Sequence, residues 1–142
     1  MIYLGSDHAG YDYKEVIKSY LTKQGLEYID LGTNSIVSVD YPDFASQVTA
    51  QVSTVPNAKG ILICGTGMGM CIAANRIKGI RAVAPYSVKT AKLAREHNNA
   101  NVLCLGGRIM IKFKLLRILK AFLTTHFSEG ERHIIRIEKL DK

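Results

Sequence analysis

Short apolar segments alternate with amphipathic helical patterns along this chain of 142 residues. A short apolar, β-branched run is typical of a buried strand, whereas apolar residues spaced three and four apart are typical of a helix with one buried face. Regular alternation of the two predicts a parallel sheet with helices on both faces, an α/β fold. The predicted strands are residues 2–5, 26–31, 60–64, 81–84 and 101–105.

Helices are predicted between these strands and after the last one. They comprise residues 11–24, 41–53, 67–75, 87–97 and 109–125. Gly25 follows the first of them as a helix stop, and Pro42 stands at the start of the second, where its missing N–H costs nothing. A tail at residues 128–142 contains a further helical pattern, whose apolar residues are available to pack on the same subunit or on a second one.

Composition predicts one globular domain, residues 1–142. Hydrophobic residues make up 47% of the chain, which is enough for one sizeable core and too many for a disordered protein. The formal net charge of +7 favours anionic partners, and phosphorylated metabolites and nucleic acids are both anionic. The basic residues are spread along the chain without an aromatic-rich basic stripe, so a nucleic-acid role is not expected.

Cysteine usage and hydropathy predict a cytoplasmic protein. The three cysteines form no CxxC pair, which fits reduced thiols better than a disulfide framework. No His or Cys pair stands at ligand spacing, so no metal site is expected. The chain shows no signal-peptide pattern, and no apolar run approaches the ~20 residues that span a bilayer, so no membrane role is expected.

The segment from residue 61 to residue 70 says most about function. An apolar run ends at Cys64, glycines follow at positions 65, 67 and 69, and Thr66 stands between the first two. The order strand, glycine loop, helix lets several backbone N–H groups point at one place and hold an anion. Such donors beside a cysteine favour its thiolate, which can act as a base. Met70 replaces the third glycine of a dinucleotide fingerprint, and the chain has no Walker GK[ST].

Ligands of open parallel sheets bind at the carboxyl ends of the strands, so the residues that follow the strands are site candidates. Three of these candidates also have a purely structural interpretation. Asp7 would cap the next helix, His97 would place positive charge at a helix end where it is favoured, and Cys64 would be a buried core thiol. The side chains expected at this one edge are Asp7, His8, Cys64, Thr66, His97, Asn98 and Arg108.

Two arginines of the tail are further candidates. Arg132 and Arg136 are four residues apart, so they share one face of the predicted tail helix. Guanidinium groups in this arrangement suit a clamp on a phosphate. The alternative is a solvated basic face whose charge Glu131 and Glu138 offset.

Together these motifs resemble the type B ribose-5-phosphate isomerases, within a group that also includes allose-6-phosphate and galactose-6-phosphate isomerases. The resemblance runs over nearly the whole chain. The matching stretches are residues 5–10, 30–33, 40–42, 61–75, 78–82, 96–98, 101–103, 106–108 and 129–136. It implies a Rossmann-like three-layer α/β/α sandwich with a five-stranded parallel sheet and a C-terminal tail helix.

The resemblance also implies an activity and an assembly. The reaction is aldose–ketose isomerisation of ribose 5-phosphate and ribulose 5-phosphate through a cis-enediolate, a step of the non-oxidative pentose phosphate pathway. No metal or other cofactor is implied. The implied assembly is a homodimer or dimer of dimers with shared active sites and with the tail helix at the dimer interface.

Carried over position by position, the resemblance assigns roles to the candidate residues. Cys64 is the base that moves a proton between C1 and C2, and Thr66 with the loop N–H groups holds the enediolate oxygens. His97 opens the furanose ring across the dimer interface, and Asp7 works with the ring or hydroxyl oxygens. The expected substrate-binding residues are His8, Arg108, Arg132 and Arg136 for phosphate, Tyr41 and Asn98 for the sugar, and Gly65, Gly67, Met68 and Gly69 in the loop.

Two positions depart from the family pattern. Glu131 stands where the family usually has glycine, and its carboxylate could pair with Arg132 and weaken phosphate binding, or point into solvent. Met68 and Met70 flank Gly69 where smaller or β-branched residues are common, which affects packing more than chemistry. Two other functions stay open at this point: an isomerase of a six-carbon sugar phosphate, and a non-catalytic module that binds a sugar phosphate or nucleotide.

Overall fold

Five parallel strands and six helices make up residues 1–141, the part of the chain that the computed structural model describes. The strands are β1 (Ile2–Ser6), β2 (Tyr28–Asp30), β3 (Lys59–Cys64), β4 (Ala82–Val83) and β5 (Val102–Gly106). The helices are α1 (Tyr11–Lys23), α2 (Tyr41–Thr54), α3 (Met68–Ala74), α4 (Val88–Asn98), α5 (Lys112–Thr124) and α6 (Glu131–Leu140). Each predicted element is confirmed, with ends that differ by a few residues. The predicted tail extends to Lys142, which lies outside the described residues.

The strand order places the ends of the three central strands side by side. The sheet runs β2-β1-β3-β5-β4, so the chain winds outward in one direction from β1 and in the other from β3. Ser6 pairs with Ile63, and Cys64 pairs with Gly106. A crevice forms where the winding of a parallel sheet reverses. The carboxyl ends of β1 and β3 lie at that point here.

Side chains that alternate along the strands build a separate core on each face of the sheet. On one face, Leu4, Ile61, Ile63, Leu103 and Leu105 pack with α1, α4 and α5. The other face carries Tyr3, Leu62, Cys64, Val102 and Cys104, which pack with α2 and α3. This arrangement confirms the predicted α/β/α sandwich, since each strand residue faces the opposite layer from its neighbours.

A buried ion pair ties α1 to the end of β2. The ammonium group of Lys14, whose side chain is 0% exposed, lies 2.6 Å from a carboxylate oxygen of Asp30. Lys18 lies 3.0 Å from the same oxygen, and the N–H of Gly32 donates to the other one at 2.9 Å. Burial alone raises the pKa of Asp30, but the hydrogen bonds from Lys14, Gly32 and Lys18 outweigh burial and lower it.

Candidate active site

The loop after β3 presents the thiol of Cys64 to a backbone donor. The N–H of Gly67 donates to Sγ of Cys64 at 3.1 Å, and the N–H of Met68 donates to Oγ1 of Thr66 at 3.3 Å. Gly67 has a φ of 82°, and a Cβ there would lie 3.0 Å from the carbonyl carbon of Leu105. Only glycine fits this backbone without strain, so the loop needs Gly67 to turn its N–H toward the sulfur.

The segment after β5 closes over the same loop. The N–H of Gly107 donates to the carbonyl of Cys64 at 2.7 Å, and the N–H of Arg108 donates to that of Gly65 at 2.9 Å. A Cβ at Gly65 would lie 3.5 Å from Cδ of Arg108. The arginine side chain therefore passes over Gly65 and brings a positive charge to the loop.

At the end of β1, Asp7 orders the turn that leads to α1. Its Oδ1 accepts from the N–H groups of Ala9 and Gly10 at 2.9 and 3.0 Å. Its own N–H donates to the carbonyl of Ile63 at 3.2 Å, which fixes the residue beside β3. Both donors precede Tyr11, the first residue of α1, so Asp7 fixes the turn rather than capping the helix, and both use the same carboxylate oxygen.

The next residue, His8, is held by the loop before α2. Its Nδ1 accepts from the N–H of Val39 at 3.2 Å. An accepting Nδ1 carries no hydrogen, so the neutral ring has its hydrogen on Nε2, as assigned from this hydrogen bond. Nε2 of His8 is then a donor able to reach an anion.

Tyr41 forms a wall of the same edge. It is the first residue of α2, and a Cβ at Gly69 would lie 2.7 Å from Cζ of its ring. The ring therefore lies directly against the loop glycine, and it is 38% exposed. Together, the loop of residues 64–69 with Asp7, His8, Tyr41 and Arg108 forms one cluster, which we call the thiol edge.

His97 and Asn98 do not join the thiol edge of their own chain, so the expectation that they gather there is wrong. A helix between two parallel strands runs opposite to them, and α4 therefore ends beside the start of β5. Arg81, which directly precedes β4, donates from Nε to the carbonyl of Asn98 at 3.1 Å. The end of α4 consequently lies at the amino edge of the sheet, opposite to Cys64.

Helix α6 packs against the end of α4. His97 and Asn98 of α4 with Arg132, His133 and Arg136 of α6 form a second cluster, which we call the histidine edge. The rings of His97 and His133 stack with centroids 4.4 Å apart and planes 12° apart. Burial and the positive surroundings of His97, Arg132 and Arg136 lower the pKa of His133. Sequence reasoning found no role for His133, because its partner belongs to a distant helix and no local spacing signals the contact.

Three charged side chains of α6 point outward. Arg132 and Arg136 are exposed, and so is Glu131. Among the ion pairs of residues 1–141, none involves Glu131, so this carboxylate does not neutralise Arg132. Of the two alternatives for Glu131, the structure shows the one in which its carboxylate points into solvent.

A second thiol lies on the same face of the sheet as Cys64. Cys104 on β5 is buried, while Cys71 on α3 is half-buried. A hydrogen bond from Cys104 lowers the pKa of Cys71 to about 7, against the opposite effect of burial. An experiment that tests a reactive thiol on this chain therefore has to distinguish Cys64 from Cys71.

Within residues 1–141, no group of three or more His, Cys, Asp or Glu side chains could hold a metal ion. None of the helices in that range is both long enough and apolar enough to cross a membrane.

A parallel sheet with an anion-binding glycine loop and a thiol at its switch point defines the class of protein: an α/β protein built to hold a small anionic metabolite. More particularly, the model of the ribose/galactose isomerase family matches residues 2–140, and the chain belongs to this family. The predicted family is thereby confirmed.

Solved structures and curated relatives agree with this assignment. A ribose 5-phosphate isomerase of Thermotoga maritima is 48% identical with a TM-score of 0.94, and the match covers 99% of this chain and 96% of that one. The ribose-5-phosphate isomerase B of Mycoplasma genitalium, solved with bound ribulose 5-phosphate, is 43% identical with a TM-score of 0.92, over 98% and 92% of the chains. A probable ribose-5-phosphate isomerase B of Mycoplasma pneumoniae is 44% identical over 98% of this chain and 91% of its own length.

Proposed function

We propose that this chain interconverts ribose 5-phosphate and ribulose 5-phosphate by proton transfer within the sugar, with Cys64 as the base. The observation that carries the proposal is the thiol of Cys64 at the switch point, 3.1 Å from the N–H of Gly67. The ribulose 5-phosphate bound to the relative from Mycoplasma genitalium supports the substrate. A non-catalytic binding module would need the N–H groups of the glycine loop to hold an anion, but it would not need a thiol beside them.

The proposed reaction needs one base and one set of donors that stabilise a negatively charged oxygen. The thiolate of Cys64 removes the proton from C2 of the open-chain aldose, and the C2–H electrons form the C1–C2 double bond of an enediolate. The oxygen at C1 takes up negative charge, which Thr66 and the N–H groups of residues 65–69 stabilise. A proton moves from the hydroxyl at C2 to the oxygen at C1, and return of the first proton from Cys64 to C1 gives the ketose with its carbonyl at C2, so no redox cofactor takes part.

Phosphate binding supplies energy far from the reacting carbons and so positions them. At the thiol edge, Nε2 of His8 and the guanidinium of Arg108 are the donors. Arg132 and Arg136 add a clamp that suits phosphate oxygens. Tyr41 and Asn98 contact the sugar, while Gly65, Gly67, Met68 and Gly69 line the loop.

We propose a homodimer, or a dimer of such dimers, because the two clusters lie at opposite edges of one chain. A second copy related by a two-fold axis brings its His97, Asn98 and arginines to the thiol edge of the first, and the reverse holds for the second site. Apolar side chains near both clusters are exposed and available for such an interface: Ile72 is 60% exposed on α3, and Ile135 is 46% exposed on α6. The whole chain then acts as one isomerase domain in the cytoplasm, where its thiols stay reduced.

The direct test is formation of ribulose 5-phosphate from ribose 5-phosphate by purified protein with EDTA and no added cofactor. The wild type and Cys71→Ala are expected to turn over, and Cys64→Ala is expected to lose at least about 100-fold in kcat, as removal of a general base does. Cys71→Ala is the matched control because it removes a neighbouring thiol. Equal turnover by both variants would show that Cys64 is not the base. Faster turnover of allose 6-phosphate than of ribose 5-phosphate would show that the substrate is a six-carbon sugar phosphate.

A further inference from the structure

A polar cavity lies at the amino edge of the sheet, far from the thiol edge. It has a volume of about 170 Å³ and lies between the start of β3 and the end of α4. Lys59 begins β3 and Cys64 ends it, so roughly 17 Å separates the cavity from the thiol at the usual rise per strand residue. The cationic side chains that line it are Lys59, Arg81 and Arg95.

The cavity also faces away from the histidine edge. Arg95 and Asn99 are four residues apart at the end of α4, so they share one face of the chain there, and both line the cavity. His97 is two positions beyond Arg95, which places it on the opposite side of the helix. The proposed sugar-phosphate site and this cavity therefore use different faces of α4.

The positive charge of the cavity is poorly compensated. Arg95 is only 8% exposed, and its guanidinium donates to neutral oxygens: the carbonyls of Ala100 and Thr125 and Oδ1 of Asn99. Within residues 1–141, the one carboxylate within 4.0 Å of the three cations is that of Asp141, 2.6 Å from Nη1 of Arg81.

The ionisation of the cavity cations reflects this lack of partners. Burial, and then the charge of Arg95, lower the pKa of Lys59. Burial, and then the charge of Arg81, lower the pKa of Arg95. Removing a cation from water without a counter-charge costs free energy, and a bound anion offsets that cost.

We propose that this cavity is a second anion site, which binds a small multivalent oxyanion such as inorganic phosphate between Lys59 and the two arginines. The cavity volume suits an ion of this size, and its walls offer the amide groups of Asn99 and Asn101 beside the cations. Bound anion would hold the start of β3 to the end of α4. Because ligands stabilise the state that binds them, phosphate then raises the melting temperature of the protein.

The test uses the full chain carrying Arg132→Gln and Arg136→Gln, which removes the proposed clamp at the other site. Phosphate is titrated against melting temperature at constant ionic strength, with chloride as the balancing ion. A saturable rise is expected. Adding Lys59→Gln or Lys59→Met should raise the half-saturating phosphate concentration at least about tenfold, as the loss of one charged contact does. Lys89→Gln, which removes an exposed charge of α4, is the matched control and should leave the titration unchanged.

Two outcomes would overturn the proposal. One is a melting temperature that does not rise saturably with phosphate in the clamp-free protein. The other is the same half-saturating concentration in the Lys59 variants and in Lys89→Gln. Lys59→Gln and Lys59→Met replace the lysine by a polar and by an apolar side chain. Their melting temperatures without phosphate show which variant keeps the fold, and that variant is used in the titration. Neither readout depends on isomerase activity, so the proposed function stands or fails separately.

Discussion

The imidazole rings of His97 and His133 lie parallel, 4.4 Å apart, and join the end of α4 to α6. His133 is the buried partner, and burial and the nearby positive charges lower its pKa, which favours the neutral ring. A neutral flat ring restricts the rotation of His97 without adding another positive charge between Arg132 and Arg136. His133 thereby positions the residue proposed to open the sugar ring.

Removing this ring should slow ring opening more than proton transfer. Ribose 5-phosphate closes to a furanose, whereas ribulose 5-phosphate stays open because its C5 hydroxyl is esterified. In His133→Ala, isomerisation of ribose 5-phosphate is expected to fall roughly 100-fold, in line with misplacement of a catalytic group, while deuterium exchange at C1 of ribulose 5-phosphate in D2O persists. His133→Phe keeps a stacked ring and should retain more activity. Equal loss of isomerisation and exchange in His133→Ala would argue for general damage instead.

The same residue predicts how stability depends on pH. The fold lowers the pKa of His133, so the unfolded chain takes up a proton first as pH falls through about 6.5, the ordinary histidine value. The free energy of unfolding is therefore expected to decrease as pH falls from that value toward the lowered one. Urea melts of wild type and His133→Phe across this range measure the effect. A pH dependence that is the same in both proteins would contradict it.

The contact between Tyr41 and Gly69 predicts a coupled pair of substitutions. Gly69→Ala places a methyl group 2.7 Å from Cζ of Tyr41, so the ring has to move off the loop. A higher KM for ribose 5-phosphate is expected, since Tyr41 is proposed to contact the sugar. In a Tyr41→Ala background, Gly69→Ala should add little, because the atoms that clash are gone. Additive effects in this double-mutant cycle would show that the two positions act independently.

The buried pair of Lys14 and Asp30 predicts a large loss of stability. Asp30→Asn leaves the fully buried ammonium of Lys14 without its main counter-charge and is expected to cost about 3–5 kcal/mol of unfolding free energy. Asp12→Asn, at an exposed position of the same region, is the control and should change little. Adding Lys14→Met to Asp30→Asn should recover part of the loss, as chemical denaturation would report.

Much of the thiol edge followed from local sequence. Residues that directly follow parallel strands must lie at the carboxyl edge, so Asp7, Cys64 and Arg108 were placed together by strand prediction alone. The glycines at positions 65, 67 and 69 predicted a loop whose N–H groups converge beside Cys64, and the N–H of Gly67 does donate to its sulfur. These inferences depend on neighbours in the chain, which pattern and spacing report well.

The histidine edge was less accessible from sequence. The position of His97 depends on the direction of α4, and the expectation failed because a returning helix ends at the edge where the next strand begins. The stack on His133 depends on how α6 docks, and the cavity around Lys59 on the packing of three separate segments. None of these contacts leaves a periodic signal, since long-range packing decides them.

Active-site complementation tests the central claim most directly. Cys64→Ala and His97→Ala are each expected to be nearly inactive as pure proteins. If a site combines Cys64 of one chain with His97 of another, mixed dimers of the two variants contain one intact site each. Random re-association after denaturation should then restore about one quarter of the wild-type isomerase activity, since half of the dimers are mixed. A mixture that stays as inactive as its components would contradict the shared site.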